Sequence, residues 1–192
     1  MLVRMPRRTL LRRPIVLVGL VVATVVAVVA VLVFEPWKLV IDERVAEAAP
    51  TATAPAGTVD AGPIVLARAE LVAHEHASSG TVVVLGLPDG SRVLRLQDLR
   101  TSNGPKLKVW LSDQPVLPGR DGWYVFDDGR HVDLGDLKGN IGSSNYPLPA
   151  EVDLAALPSV TIWCERFSVS FAAARLEPGD TNGGTAARPQ PK

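Results

Sequence analysis

The chain is short of the residues that carry most enzymatic chemistry. Its 192 residues include one cysteine, three histidines, two methionines and 5% aromatics. The single Cys164 excludes an intrachain disulfide framework and any zinc site built on two or more thiolates. Covalent haem attachment needs Cys-x-x-Cys-His, which is absent. Also missing are a Gly-x-Ser-x-Gly elbow, a His-Glu-x-x-His helix and a phosphate-binding Gly-x-x-x-x-Gly-Lys-Ser/Thr loop. No hydrolase or transferase motif remains. Net charge is lacking too, with 20 basic against 20 acidic groups, but the balance conceals a segregation. Arg4, Arg7, Arg8, Arg12 and Arg13 precede every acid, leaving 15 basic against 20 acidic groups in the rest. An acidic body with a separate basic head argues against nucleic acid as a partner, because that contact needs clustered positive charge.

What the sequence does contain begins with Ile15–Phe34, IVLVGLVVATVVAVVAVLVF, twenty residues without a charge. As a helix this run spans roughly 30 Å, the thickness of a bilayer's hydrocarbon core. Its β-branched valines do not oppose a helix there, because lipid leaves the backbone no other way to satisfy its polar groups. Arginines precede the run, whereas Glu35, Asp42 and Glu43 follow it. The positive-inside rule then places the N-terminus in the cytoplasm and the remainder outside, with Trp37 and Lys38 suited to the outer interface. A cleaved signal peptide is the competing reading. Its apolar region should be only about 7–15 residues, with a small-residue site soon after. Here Ala46-Glu47-Ala48 lies well beyond Phe34.

These signals divide the chain into a basic cytoplasmic N-terminus (1–14), a transmembrane helix (15–34), a juxtamembrane segment and linker (35–63), a β domain (64–176) and a disordered tail (177–192). The linker, from Arg44 onward, and the tail are rich in Ala, Pro, Thr and Gly, and bury too little to offset their ordering entropy. Inside the domain, Thr81–Leu87 and Arg92–Leu96 flank Pro88-Asp89-Gly90, a hairpin signal. Leu107–Leu111 alternates, with Leu107, Val109 and Leu111 on one face. Gly122–Phe126 leads to the turn Asp127-Asp128-Gly129 and then Arg130–Leu134. Short strands at this spacing predict an all-β fold, an antiparallel β-sandwich or barrel-like domain, after one N-terminal transmembrane helix. In Val160–Phe171 the apolar set changes parity between Cys164 and Phe167, which predicts a bulge or bend near Glu165-Arg166.

Cys164 has two readings from the residues alone. Outside the cytoplasm a lone thiol can exchange with disulfides, and Arg166 is a cation near enough to favour its thiolate. Equally, it can be a small buried hydrophobe without chemistry. His74-Glu75-His76 on an extended strand would put both imidazoles on one face, and with Cys164 they have the ligand types of a blue-copper site. The usual axial methionine is missing, since Met1 and Met5 both precede the apolar run. Exposed loop histidines are the alternative for His74 and His76. Non-covalent haem held by Cys164 or His131 is a further option. Asp127, Asp128, Asp133 and Asp136 lack the spacing of an EF-hand loop. Trp110, Trp123 and Trp163 read as sandwich packing.

Three ordered blocks carry a resemblance. They are Asn103-Gly104-Pro105-Lys106-Leu107-Lys108-Val109-Trp110-Leu111-Ser112, then Leu134–Gly142 (LGDLKGNIG) with Asn145-Tyr146 and Pro149, and finally Ile162-Trp163-Cys164 with Arg166-Phe167-Ser168-Val169. Together they resemble the DM-thirteen domain, the "electron-transfer DM" family, over about residues 64–176. That family is associated with DOMON domains and has a single-pass, membrane-anchored bacterial type. The resemblance implies an extracytoplasmic, β-rich domain of the cell envelope with an electron-transfer role. It also implies that the family's signature cysteine falls on Cys164, as a bare thiol or the holder of a prosthetic group such as haem. The expected partners are the membrane, through residues 15–34, and a redox or envelope protein. The alternative is a non-catalytic envelope module with an inert buried cysteine.

Overall fold

The computed structural model describes residues 13–39, 41–51 and 62–179. The predicted basic N-terminus lies outside the described residues except for its last two positions, as does most of the expected tail. The chain forms two compact units, residues 1–37 and 38–192.

In the first unit, helix α1 covers Arg13–Phe34. Pro14 stands in its opening turn, where a missing N–H breaks no helical bond. Thr24 turns its hydroxyl back onto the Leu20 carbonyl (2.9 Å), so the one polar side chain in the run is satisfied within the helix. The helix stops where Glu35 adopts φ +43°, donates its N–H to Val31 (3.0 Å) and is followed by Pro36. From Ile15 to Phe34 the large apolar side chains are exposed except Val33, which is half-buried. A helix this long and apolar suits a membrane anchor or a signal sequence.

The second unit is predominantly strands. In chain order they are β1 Arg44–Ala46, β2 Ile64–Glu70, β3 Val72–Ala73, β4 Ser79–Gly86, β5 Arg92–Arg100, β6 Leu107–Ser112, β7 His131–Asp136, β8 Ile141–Leu148, β9 Ser159–Cys164, β10 Val169–Arg175 and β11 Glu177–Pro178. They form a six-stranded sheet ordered β1-β8-β5-β4-β2-β11 and a five-stranded sheet ordered β3-β10-β9-β6-β7. Every pairing is antiparallel except β1 with β8. The predicted Pro88-Asp89-Gly90 hairpin joins β4 to β5, where Asp89 accepts bonds from the Ser91 N–H (2.9 Å) and hydroxyl (2.6 Å).

The main core lies between the sheets. Val82, Val84, Leu94 and Leu96 from one sheet join Val109, Leu111, Val160 and Ile162 from the other. Period-two alternation puts those side chains on a common face and thereby sets the register. A second cluster of Trp110, Phe126, Trp163 and Ala173 covers the opposite face of β6, β9 and β10. Phe126, Val116 and Val125 supply its cover from the connection between β6 and β7. The Gly122–Phe126 stretch is therefore no strand. It is a 3-10 turn over Gly119–Gly122 followed by a segment that plugs Phe126 into the outer cluster.

Three expectations need correction. Val160–Phe171 is not one strand with a bend, because Glu165–Ser168 is a full reversal between β9 and β10, closed by Phe167 N–H to the Cys164 carbonyl (3.3 Å). Ser168 takes φ +47°, and Val169 returns opposite Cys164. The irregularity in pairing sits instead between Ser170 and Ala172, so that Phe171 and Ala172 both enter the main core. Second, the linker is structured at its start. Arg44–Ala46 pairs with β8, and Glu47 continues the attachment through its N–H to Ser143 (2.9 Å) and its carboxylate to Lys138 (2.8 Å). A three-residue strand on a ready sheet edge needs only backbone pairing, which composition cannot register. Residues 52–61 of the linker lie outside the described residues. Third, the tail begins as β11, in which Glu177 and Pro178 pair with β2.

Candidate functional site

Cys164 ends β9 at the mouth of the β9–β10 hairpin, opposite Leu107 of β6. Its side chain points into the main core with Ile162 and Val160 and is fully buried. The thiol donates to the Pro105 carbonyl (3.2 Å), in the loop before β6. Burial pushes its pKa up, since a thiolate there would lose its hydration. The Phe167 and Arg166 backbones counter this in part, Glu75 adds to the rise and the Arg166 charge opposes it. Arg166 sits in the exposed turn, beyond the strand face that a regular β9 would have shared with Cys164. The resting cysteine is thus a protonated thiol.

The histidines occupy other surfaces. His74 is 8% exposed, so it is no exposed loop histidine. Its Nδ1 meets Ser170 Oγ (2.8 Å), which in turn meets Thr161 Oγ1 (2.8 Å). Ser170 pairs with Trp163, so this polar trio belongs to the outer face, beside Phe126, whose ring stacks 6.0 Å from His74. Burial lowers the His74 pKa, with the Leu117 carbonyl opposing the shift. Adjacent positions on a strand face opposite ways, which separates His74 from Cys164 by the thickness of the sheet. His76 lies in a bend rather than on an extended strand; its ring packs on Phe171 (3.9 Å) and Nε2 meets Glu75. His131 is exposed on β7, with its ring flat on Trp110 (4.0 Å, 10°).

The set His74, His76 and Cys164 is therefore not assembled as metal ligands. Among the described residues no group of three or more His, Cys, Asp or Glu is placed to share a metal ion. Asp133 and Asp136 are instead bridged by Lys108 (3.3 and 2.9 Å). His131 and Cys164 do not converge either. They pair with Ser112 and Leu107, the opposite ends of β6, about 17 Å apart along the strand. A haem does not fit Cys164, because an axial sulfur must face an open slot as thiolate, whereas this thiol is enclosed and committed to Pro105.

Next to the thiol's roof is a pocket of about 360 Å³ whose lining includes Pro105, Phe167, His76 and Phe171. Of its lining residues sequence reasoning singled out only His76 as a site candidate, and it missed among others Glu75 as a contributor of charge and Trp123, Tyr124 and Phe167 as walls. Nothing in their spacing could have shown it, since they come from loops that only the fold brings together. The blocks around Asn103 and Asn140 do different work. Asn103 Nδ2 donates to the Ile41 carbonyl (3.0 Å). Asn140 is buried, accepts from Glu43 N–H (2.7 Å) and donates to Asp42 (2.9 Å) and the Thr101 carbonyl (2.8 Å). Both seat the segment that leads into β1.

No curated protein and no solved structure matches the chain. The family model described as Electron transfer DM13 matches residues 70–176, more than half of the sequence, from the end of β2 through β10. With the three motif blocks inside the matched residues and the match covering more than half of the sequence, the chain belongs to the Electron transfer DM13 family.

Proposed function

We propose that the protein is a membrane-anchored, extracytoplasmic redox module in which Cys164 is the reacting group. The observation that carries this reading is the position of the thiol. It lies at the end of a strand beneath a four-residue turn and a single proline carbonyl, rather than in the middle of the sheet. Bringing the sulfur to solvent would need the turn and the loop that carries Pro105 to open together at this end of the sandwich, and local openings of this kind cost less than global unfolding. Family membership supports an electron-transfer role, and the arginines before α1 with the acids after it support export of the domain.

With one cysteine the available chemistry is single thiol–disulfide exchange with a partner's disulfide. Cys164 loses its proton and attacks one sulfur. A new S–S bond forms as the partner's bond breaks, and the departing thiolate takes up a proton. Arg166 and the backbone N–H groups of the turn favour the thiolate once it is exposed.

A second reading, a non-catalytic envelope module with an inert cysteine, is favoured by the complete burial of the sulfur. The test is the rate at which full-length protein in detergent forms a mixed disulfide with glutathione disulfide, with Cys164→Ser as the blank. The redox reading expects one adduct per chain, formed faster than the protein globally unfolds under the same conditions. A rate equal to global unfolding assigns the inert role.

A further inference from the structure

The pocket beside Pro105 has a composition that thiol chemistry does not explain. Phe171 is buried at 3% exposure, Trp123 is half-buried, and Tyr124 and Phe167 stand at the surface, 50% and 55% exposed. Four aromatic rings from β10, the β9–β10 turn and the 123–124 loop thus line one small cavity, although aromatics make up only 5% of the chain. Glu75 and His76 supply its polar corner. Single exposed aromatics on a surface need no explanation, but a cluster of rings around a concavity does.

The faces of such rings are electron-rich and attract cations that shed water easily. Glu75 adds a carboxylate at the wall, of which His76 engages Oε2, and a carboxylate accepts through two oxygens. An anion would meet Glu75 unfavourably, and a neutral apolar group would gain nothing from it. The Trp123 ring is placed for a contact of this kind, with the Arg120 guanidinium 5.4 Å from its centroid. Arg120 is not among the residues that line the pocket. A volume near 360 Å³ admits a headgroup-sized ligand.

We propose that this pocket binds a small alkylammonium group of the choline type, with Trp123, Tyr124, Phe167 and Phe171 as the aromatic walls and Glu75 as the counter-charge. The site does not depend on the reactivity of Cys164. The group could arrive as a free solute or as a lipid headgroup, and both present the same cation.

The experiment is isothermal titration of the full chain in phosphatidylglycerol nanodiscs with choline and with tetramethylammonium. Dimethylbutanol, the neutral carbon isostere of choline, is the control. Saturable binding of both cations is expected, at least tenfold tighter than the isostere. Phe167→Ala and Tyr124→Ala, both at exposed positions, should each weaken it severalfold without changing the circular dichroism spectrum, and Glu75→Gln should do the same. Repeating the titration in phosphatidylcholine nanodiscs, with both lipids compared at high ionic strength so that the anionic surface potential is screened, separates the sources. Lower apparent affinity there identifies the headgroup as a competitor, and unchanged affinity identifies the free solute. No saturable binding in phosphatidylglycerol, equal binding of the isostere, or indifference to all three substitutions would overturn the proposal.

Discussion

Individual side chains set the pH limits of the domain. His74 is held neutral by burial, so acidification finds the unfolded chain accepting a proton that the folded chain refuses. Stability should therefore be intact above the ordinary imidazole range and decline as pH falls through it, before the carboxylates titrate. Urea midpoints measured from neutral to mildly acid pH should show this loss in the native sequence and not in His74→Asn. At the alkaline end the sign reverses. Burial raises the pKa of both Cys164 and Tyr146, so the unfolded chain releases its protons first and stability falls as pH rises past the ordinary thiol and then phenol ranges. Cys164→Ala should abolish the first part of that decline. Glu47 behaves as a paired carboxylate, lowered chiefly by Lys138, and its contribution is lost as pH falls through the carboxylate range. With both partners a third or more exposed, that pair is worth at most about 1 kcal/mol.

Among the elements, β1 is the one whose existence depends on a few neighbours. Gly142 has φ +114°, and a Cβ there would lie 1.8 Å from the Val45 carbonyl oxygen. Glycine is needed at this position for both conformation and approach. Gly142→Ala should cost more than about 1 kcal/mol, and hydrogen exchange should show lost protection at the Glu47 amide while β4 and β5 stay protected. Asn140 holds the same segment from its other end, so Asn140→Ala should cost about 1–3 kcal/mol by leaving buried backbone groups without a partner. The outer cluster depends on Phe126, which is fully buried against Trp163 (6.3 Å, edge to face). Phe126→Ala should destabilise the domain by about 3–5 kcal/mol, visible as a shift of the thermal midpoint with a change in tryptophan fluorescence. The parity change that the sequence shows after Cys164 belongs to this scale as well. Apolar periodicity reports which face a residue takes, but a tight reversal and a bulge alter parity alike, and only the pairing of Val169 with Cys164 separates them.

For the whole molecule, the expectation with the widest consequence is topology. A reporter that is active only outside the cytoplasm, fused after Lys192, should give signal, and one active only inside should not. A chain lacking residues 1–34 should remain folded and become soluble in water, because the β unit has its own core. Circular dichroism and sedimentation of that truncated chain would check both outcomes.

The sequence by itself determined the apolar helix, the all-β class, the β4–β5 hairpin, the inward face of β6 and the family, because each is written in local period, run length or contiguous motif. It could not place Glu75, Trp123, Tyr124 and Phe167 around one pocket, nor set His74 and Cys164 on opposite faces of a sheet. It could not reveal β1 on the edge of β8. Those arrangements depend on which strands become neighbours and how loops fold back over them, and long-range contacts of that kind leave no periodic trace in the chain. The state of Cys164 follows the same division. Its solitude is a property of the sequence, whereas its burial, its bond to Pro105 and its raised pKa arise only when β6, β9 and the hairpin turn close around it.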